Sequence, residues 1–362
     1  MSTKRMTPLL TWCEASFCCA SLRSVWSGRD GSYWLPYSTS GLKRFLSFVP
    51  RKARSRMKVF LNPHCNYGRG LRLWKGIERE IRERTGQFET EEILSPKEFH
   101  VQVSRALEGG ENVFIAAGGD GTVNLLLNAL MNSGEHRATI GAIGLGSSND
   151  FHKPFRSEAL VRGIPLRIDS QNASLCDVIR VNYQDIQHRW VTRFCLINAS
   201  IGITAEANAL FNSRVGILKM LQRFSVNAAI SVAALLSILA YRNLACLLSI
   251  DGDEAQKFRI TNLGIIKNPH FAGSLCYDTP IGPDDGKIGI NLCADLTLLE
   301  AIQMLIALSN NRFCGLPKTQ SWIAGRASVT SQHIFALEMD GEVFNTDCAD
   351  FSVMPKAIRC CQ

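Results

Sequence analysis

The chain has 362 residues and a formal net charge of +8, enough length for two domains and a sizeable core. Residues 1–56 hold ten Lys or Arg against only Glu14 and Asp30, so the rest carries 30 basic and 30 acidic side chains, which argues against a broad nucleic-acid-binding face there. Thirteen cysteines, never spaced C-x-x-C, and seven scattered histidines give no transition-metal signature and fit free thiols in a reducing compartment.

Residues 1–56 are rich in Arg and Ser and lack the sustained apolar stretch of a secretory signal. They read as an extension outside the fold: a transit peptide, a basic aromatic membrane-contact tail, or sequence upstream of a start at Met57. The last is favoured, because Met57-Lys-Val-Phe-Leu-Asn62 begins a strand at once. After the strand Lys58–Asn62 and a turn-rich loop, Leu71, Trp74, Ile77 and Ile81 recur at helical spacing and Gly86 supplies a stop. Ser95-Pro96-Lys97-Glu98 combines a capping box with proline at the first helical position and launches a helix to about Glu108. Asn112–Ala117 is a buried strand, Gly118–Gly121 a tight turn, and Thr122–Met131 a helix with a polar stripe of Asn124, Asn128 and Asn132. A strand Thr139–Leu145 then ends in Gly146-Ser147-Ser148-Asn149-Asp150. This alternation predicts an α/β domain over 57–177, with a mainly parallel sheet and ligands beyond the carboxyl ends of its strands.

After Asp177 the texture changes. Val178–Val181, Trp190–Ser200, Leu244–Ile250, Arg259–Ile266, Ile288–Ala294 and Ala327–Leu337 read as strands, interrupted by helical stretches over Thr204–Tyr241 and Leu296–Asn311. A mostly antiparallel β-sandwich with helical insertions is expected over 178–350, and 351–362 reads as a C-terminal strand returning to the first domain. The longest uncharged run, Ser225–Tyr241, falls short of the ~20 apolar residues that span a bilayer and reads as a core helix.

Gly118-Gly119-Asp120-Gly121-Thr122 is the strongest chemical signal. Three glycines between a buried strand and a helix let backbone amides approach an anion, and the helix dipole favours phosphate there. Asp120 then suits a magnesium ion or a hydroxyl better than a phosphate; the plainer reading is a strand-to-helix turn with Asp as a turn former. No G-x-x-x-x-G-K-[ST] is present, which excludes the P-loop class. Asp-Gly pairs at 285–286 and 340–341 read, by themselves, as hairpin turns.

From Met57 onward the chain resembles the diacylglycerol kinase catalytic-domain family of bacterial-type lipid kinases, related to sphingosine and ceramide kinases. Beside the GGDGT loop, the likeness rests on Asn62-Pro63, Leu145-Gly146-Ser147-Ser148-Asn149-Asp150-Phe151, Asn198-Ala199-Ser200-Ile201-Gly202, Asp284-Asp285-Gly286-Lys287-Ile288 and Met339-Asp340-Gly341-Glu342. The resemblance implies an NAD kinase/diacylglycerol kinase-like fold and transfer of phosphate from ATP, with Mg²⁺, to a hydroxyl of a membrane lipid, diacylglycerol-like or sphingoid-like. It implies that Asn62, Ser95, Gly118, Gly119, Asp120, Gly121, Thr122, Ser147 and Asn149 hold ATP, and that Asp285, with Gly282 and Lys287, binds Mg²⁺ through oxygen. It places Glu342 where the family carries its general base, with Asp120 and Asp340 as the other acidic candidates. It also implies a cytoplasmic, peripherally membrane-associated enzyme, with an apolar lipid slot among the helices between Ile217 and Leu239, although most of those residues read as packed core. Two departures stand out: Pro63-His64-Cys65-Asn66-Tyr67-Gly68 is poorer in Gly and Ser than in many relatives, and Ala272-Gly273-Ser274 replaces a common Gly-Gly-Gly. An NAD kinase and a non-catalytic nucleotide- or lipid-binding regulator on the same fold stay open as alternatives, as does pairing of two copies in a homodimer.

Overall fold

Short apolar runs with no polar face must be covered on both sides, and three of them build the first sheet: Met57–Leu61 (β1), Val113–Gly118 (β3) and Thr139–Gly144 (β4). The computed structural model describes residues 57–362 except 136–137, 155–158, 214–220 and 222–225. The expected extension 1–56 and much of the stretch that begins at Ile217 lie outside the described residues. With Glu89–Glu92 (β2), the strands run parallel in the order β2-β1-β3-β4. Helix α1 (Gly70–Thr85) buries Trp74, Ile77 and Ile81 against one face and stops at Gly86, whose φ of 88° suits glycine. On the other face α2 (Pro96–Glu108) and α3 (Asp120–Ser133) pack Phe99, Val103, Leu126 and Leu130 onto Phe60 and Phe114. The Ser95 hydroxyl accepts from the Glu98 amide, one half of the expected capping box, while the Glu98 carboxylate takes the Ser95 hydroxyl instead of its amide.

The chain continues through β5 (Leu160–Val161), β6 (Ile164–Arg167), β7 (Ser174–Gln184), β8 (Trp190–Cys195), β9 (Asn198–Gly202), α4 (Ile203–Asn212), α5 (Val226–Ala240), β10 (Leu244–Ile250) and β11 (Gln256–Ile266). After a small ribbon of β12 (His270–Phe271) and β13 (Leu275–Cys276) come β14 (Ile288–Ala294), α6 (Leu298–Ser309), β15 (Thr319–Ala324), β16 (Arg326–Met339) and β17 (Glu342–Cys360). The antiparallel order is β15-β14-β11-β10-β16-β17-β7-β8. β11 and β16 each pair with β10 near one end and with β9 near the other, wrapping the sheet round Ile201, Leu248, Ile260, Leu263, Val329 and Leu337. The second half is therefore the expected sandwich of mostly antiparallel strands with helices set into it.

Four boundaries differ from the sequence reading. The helix after the GGDGT strand starts at Asp120 rather than Thr122, because Gly119 in extended conformation already serves as N-cap. The single strand expected over Trp190–Ser200 is two, broken at Leu196-Ile197, whose amides turn away to donate to the Asp340 carboxylate. Within Thr204–Tyr241 the described residues form two helices, α4 and α5. The expected domain limits at 177/178 and 350/351 fall inside β7 and β17, which run unbroken through them. β17 pairs with β7 along most of its second half and then places Arg359 and Cys360 parallel to Thr139 and Ile140 of β4, so one strand belongs to both sheets.

Candidate active site

Gly119, Asn62 and Ser147 all lie just beyond carboxyl ends of the parallel strands, and Ser95 lies three residues past the end of β2. The corner is held by backbone contact. A Cβ on Gly146 would stand 2.4 Å from the Gly119 Cα, and one on Gly118 would stand 2.2 Å from the Thr122 hydroxyl. These glycines therefore allow loop to press on loop and strand on helix, whereas their sequence reading was close approach to an anion. What faces outward is the first turn of α3, where the Asp120 and Gly121 amides meet no acceptor among the described residues. Asn62 donates to the Thr122 hydroxyl at 3.0 Å and accepts from the His64 amide, tying the loop after β1 to α3.

Two residues expected on the nucleotide have other work. Asn149, at φ 51°, accepts from the Gly146 amide and donates to the carbonyls of Gly144 and Gly146, so its amide shapes its own loop. The Ser95 hydroxyl both accepts from the Glu98 amide and donates to the Glu98 carboxylate, 2.7 Å away. Ser147 is exposed at the rim.

Several acids meet here. Asp120 accepts from the Phe151 amide at 3.0 Å, and its carboxyl, closely surrounded by protein, is pushed up to about 7 by burial and then by the Asp150 carboxylate. Asp150 is buried, paired with Lys153, and accepts from the Gly273 amide. Lys153 also donates to the Gly273 carbonyl, so the Ala272-Gly273-Ser274 loop is bolted to the Asp150 loop. Glu342 is exposed at the start of β17, with Oε1 3.4 Å from where a Cβ on Gly121 would sit. A Cβ at 121 would touch that carboxylate at van der Waals distance.

Asp340 corrects the sequence reading. Its Oδ1 accepts from the amides of Ile197 and Asn198, each at 3.0 Å, and its Oδ2 from Leu196 N at 2.9 Å and Asn124 Nδ2 at 3.0 Å. A carboxylate offers about four lone-pair sites, all taken here, so Asp340 is a tie between α3 and the β8–β9 corner and has no site left for a substrate proton. Burial raises it to about 6, and those same hydrogen bonds oppose the rise. The Asn stripe serves the same joint: Asn124 and Asn128 are buried and both donate to the Phe194 carbonyl, while Asn132 faces solvent. Glu338 carried no signal in the sequence beyond being one acid in an apolar strand. It lies buried beneath the turn, accepts from the Ser200 hydroxyl at 2.7 Å and the Gly341 amide at 2.6 Å, and is pushed up to about 8 by burial.

The expected Mg²⁺ bed is elsewhere and its donors do not fit. Asp285 Oδ1 accepts from the Lys267 ammonium at 2.5 Å and from the Lys287 amide, Oδ2 accepts from the Gly282 amide at 2.7 Å, and the Lys287 carbonyl accepts from Lys267 at 2.6 Å. Burial works against ionisation of Asp285, but Lys267 and the two amides hold its carboxyl below the usual range. Mg²⁺ takes near-octahedral oxygens at about 2.0–2.1 Å, and one here would share Asp285 Oδ1 with a buried cation. Among the described residues no three His, Cys, Asp or Glu side chains converge as metal ligands.

Residues 56–181 match the diacylglycerol kinase catalytic domain, and residues 198–362 match the YegS C-terminal NAD kinase beta sandwich-like domain. The chain is 26% identical over 279 residues to a probable lipid kinase YegS-like protein of Yersinia enterocolitica, covering 71% of this chain and 81% of that one. It is 40% identical over 83 residues to another protein of that description from Alcanivorax borkumensis, an alignment spanning 22% of this chain and 26% of the relative. A crystal structure of a diacylglycerol kinase from Bacillus anthracis str. Sterne superposes with a TM-score of 0.61 at 13% identity, covering 85% of this chain and 96% of that one, a likeness of fold.

Proposed function

We propose that this chain, which belongs to the diacylglycerol kinase catalytic-domain family of lipid kinases, transfers the γ-phosphoryl group of ATP to a hydroxyl of a membrane lipid. The observation that carries the reading is the pairing of an unsatisfied helix N-terminus with an exposed carboxylate: the first amides of α3 lie beside Glu342 across the side-chain-free face of Gly121. Phosphate oxygens suit those amides and the positive end of the helix dipole. Glu342 accepts the proton of the lipid hydroxyl as its oxygen bonds to the γ-phosphorus and the bond to the β-phosphate oxygen breaks, releasing ADP. Mg²⁺ enters as part of the nucleotide substrate. Asp120, held at about 7, is the second acid within the corner and keeps the Phe151 loop in place.

Peripheral contact with a lipid surface is supported by Leu235, Leu236 and Leu239 on α5 and Leu298, Leu299 and Ile306 on α6, all exposed, while Ile238, Ala301, Met304 and Leu308 share one core beneath them. Thus the expectation of a packed core there holds for Ala229, Ala233 and Ile238 but not for those three leucines. No helix among the described residues is long and apolar enough to cross a membrane.

Labelled ATP offered with diacylglycerol, phosphatidylglycerol, a sphingoid base, ceramide or NAD tests the reading. A labelled lipid is expected; labelled NADP with no labelled lipid overturns it. Glu342→Gln is expected to lower turnover by roughly 10²–10⁴-fold with nucleotide affinity kept, and undiminished turnover would remove Glu342 as the base.

A further inference from the structure

The oxygens that the sequence assigned to a divalent cation surround an ammonium group. Lys267 follows the last residue of β11, and the buried run Thr261–Ile266 carries it inside, where its side chain is 1% exposed. Nζ lies 2.7 Å from Asp177 Oδ2, 2.5 Å from Asp285 Oδ1 and 2.6 Å from the Lys287 carbonyl. Two of its N–H groups donate, to Asp285 and the Lys287 carbonyl, and the Asp177 carboxylate is the third oxygen within ion-pair distance. Two of the three, Asp285 and the Lys287 carbonyl, are the very groups the metal reading needed.

The seat joins distant parts of the chain. Asp177, fully buried on β7, also accepts from the Gly286 amide at 2.7 Å and from the Lys356 amide of β17 at 2.8 Å, and its own amide donates to Pro283. The loop Gly282–Lys287 is therefore fastened to the two strands that run through both halves of the fold. Two carboxylates and one ammonium leave a single negative charge, and Asp285 is the more exposed of the two acids.

We propose that the Lys267 ammonium is the resident cation of this seat, standing where a divalent ion was expected and cross-linking the Asp-Asp-Gly loop to β7 and β17, so that the joint is independent of metal.

Thermal melting of the full chain without nucleotide tests it. The wild-type protein is expected to melt at one temperature in EDTA and in millimolar Mg²⁺ or Ca²⁺. Lys267→Ser is expected to melt roughly 6 °C or more lower in EDTA, because two acids are left without their counter-charge, and to regain stability in Mg²⁺ or Ca²⁺ only while Asp285 is present. A divalent-cation stabilisation of the wild-type protein that Asp285→Asn removes would overturn the proposal, as would a Lys267→Ser protein with unchanged melting in EDTA. Should Lys267→Ser fail to fold, the wild-type titration with its Asp285→Asn control still decides.

Discussion

The molecule gathers acids in two places and treats them in opposite ways. At the joint of β7 and β17, Asp177 and Asp285 share a buried lysine that keeps Asp285 ionised. In the corner beside α3, burial raises Asp120, Asp340 and Glu338 to about 7, 6 and 8, and the Lys153 ammonium pairs with Asp150. Acids with an internal counter-charge serve to hold the chain. Of the raised acids, Asp340 and Glu338 are engaged in holding the turn, and Asp120 is the one beside the α3 amides, where an acid near neutrality can exchange a proton at neutral pH.

The contrast is open to attack at several points. Asp177→Asn should break the joint hardest, by about 3–5 kcal/mol in chemical denaturation, because Lys267 stays buried with one carboxylate fewer; a loss near zero would mean that the ion pair carries no structural load. Gly146→Ala should cost about 1–3 kcal/mol and weaken nucleotide binding, since the new methyl meets the Gly119 backbone at 2.4 Å and must part the two loops. A Cβ on Gly119 would stand 3.2 Å from the Gly146 Cα, so Gly119→Val is expected to press on the same pair of loops and to weaken nucleotide binding.

Glu338→Gln should have the smallest effect and the most telling sign. An acid whose folded value is raised stabilises the fold below its unfolded value of 4.5, and that contribution is lost as pH rises through about 8. Melting temperature should therefore fall over that window, less steeply in the variant. The flattening is partial, because Asp120 and Asp340 remain. A variant with the wild-type slope would show that Glu338 does not titrate there.

Local signals in the sequence located most elements. The Ser95 N-cap starts α2, Gly86 ends α1, and the run Ile288–Ala294, apolar but for Asn291, is β14 to the residue. Asn62, Gly119, Gly121 and Glu342 gather at one corner, an arrangement that spacing alone does not reveal but a set of ordered motifs does. Other features were illegible because their cause is far away in the chain. The break at Leu196-Ile197 sits inside an apolar run and is imposed by Asp340, more than a hundred residues later. Lys267 looks like one polar residue at a strand end, and only folding brings it to Asp177 and Asp285. Asp340 was misassigned for the complementary reason: a motif shows which acids are near a site but not which have every lone pair engaged.

The shared strand has a bearing on how the protein is made. Thr139 and Ile140 wait for Arg359 and Cys360, so during synthesis the parallel sheet keeps an unfilled place beside this part of β4 until β17 has been made. A chain stopped before Arg359 would expose that edge, inviting stray strand pairing, and one stopped before β17 would lack Glu342 as well. The strand that closes this edge and the candidate base thus come on one element, β17.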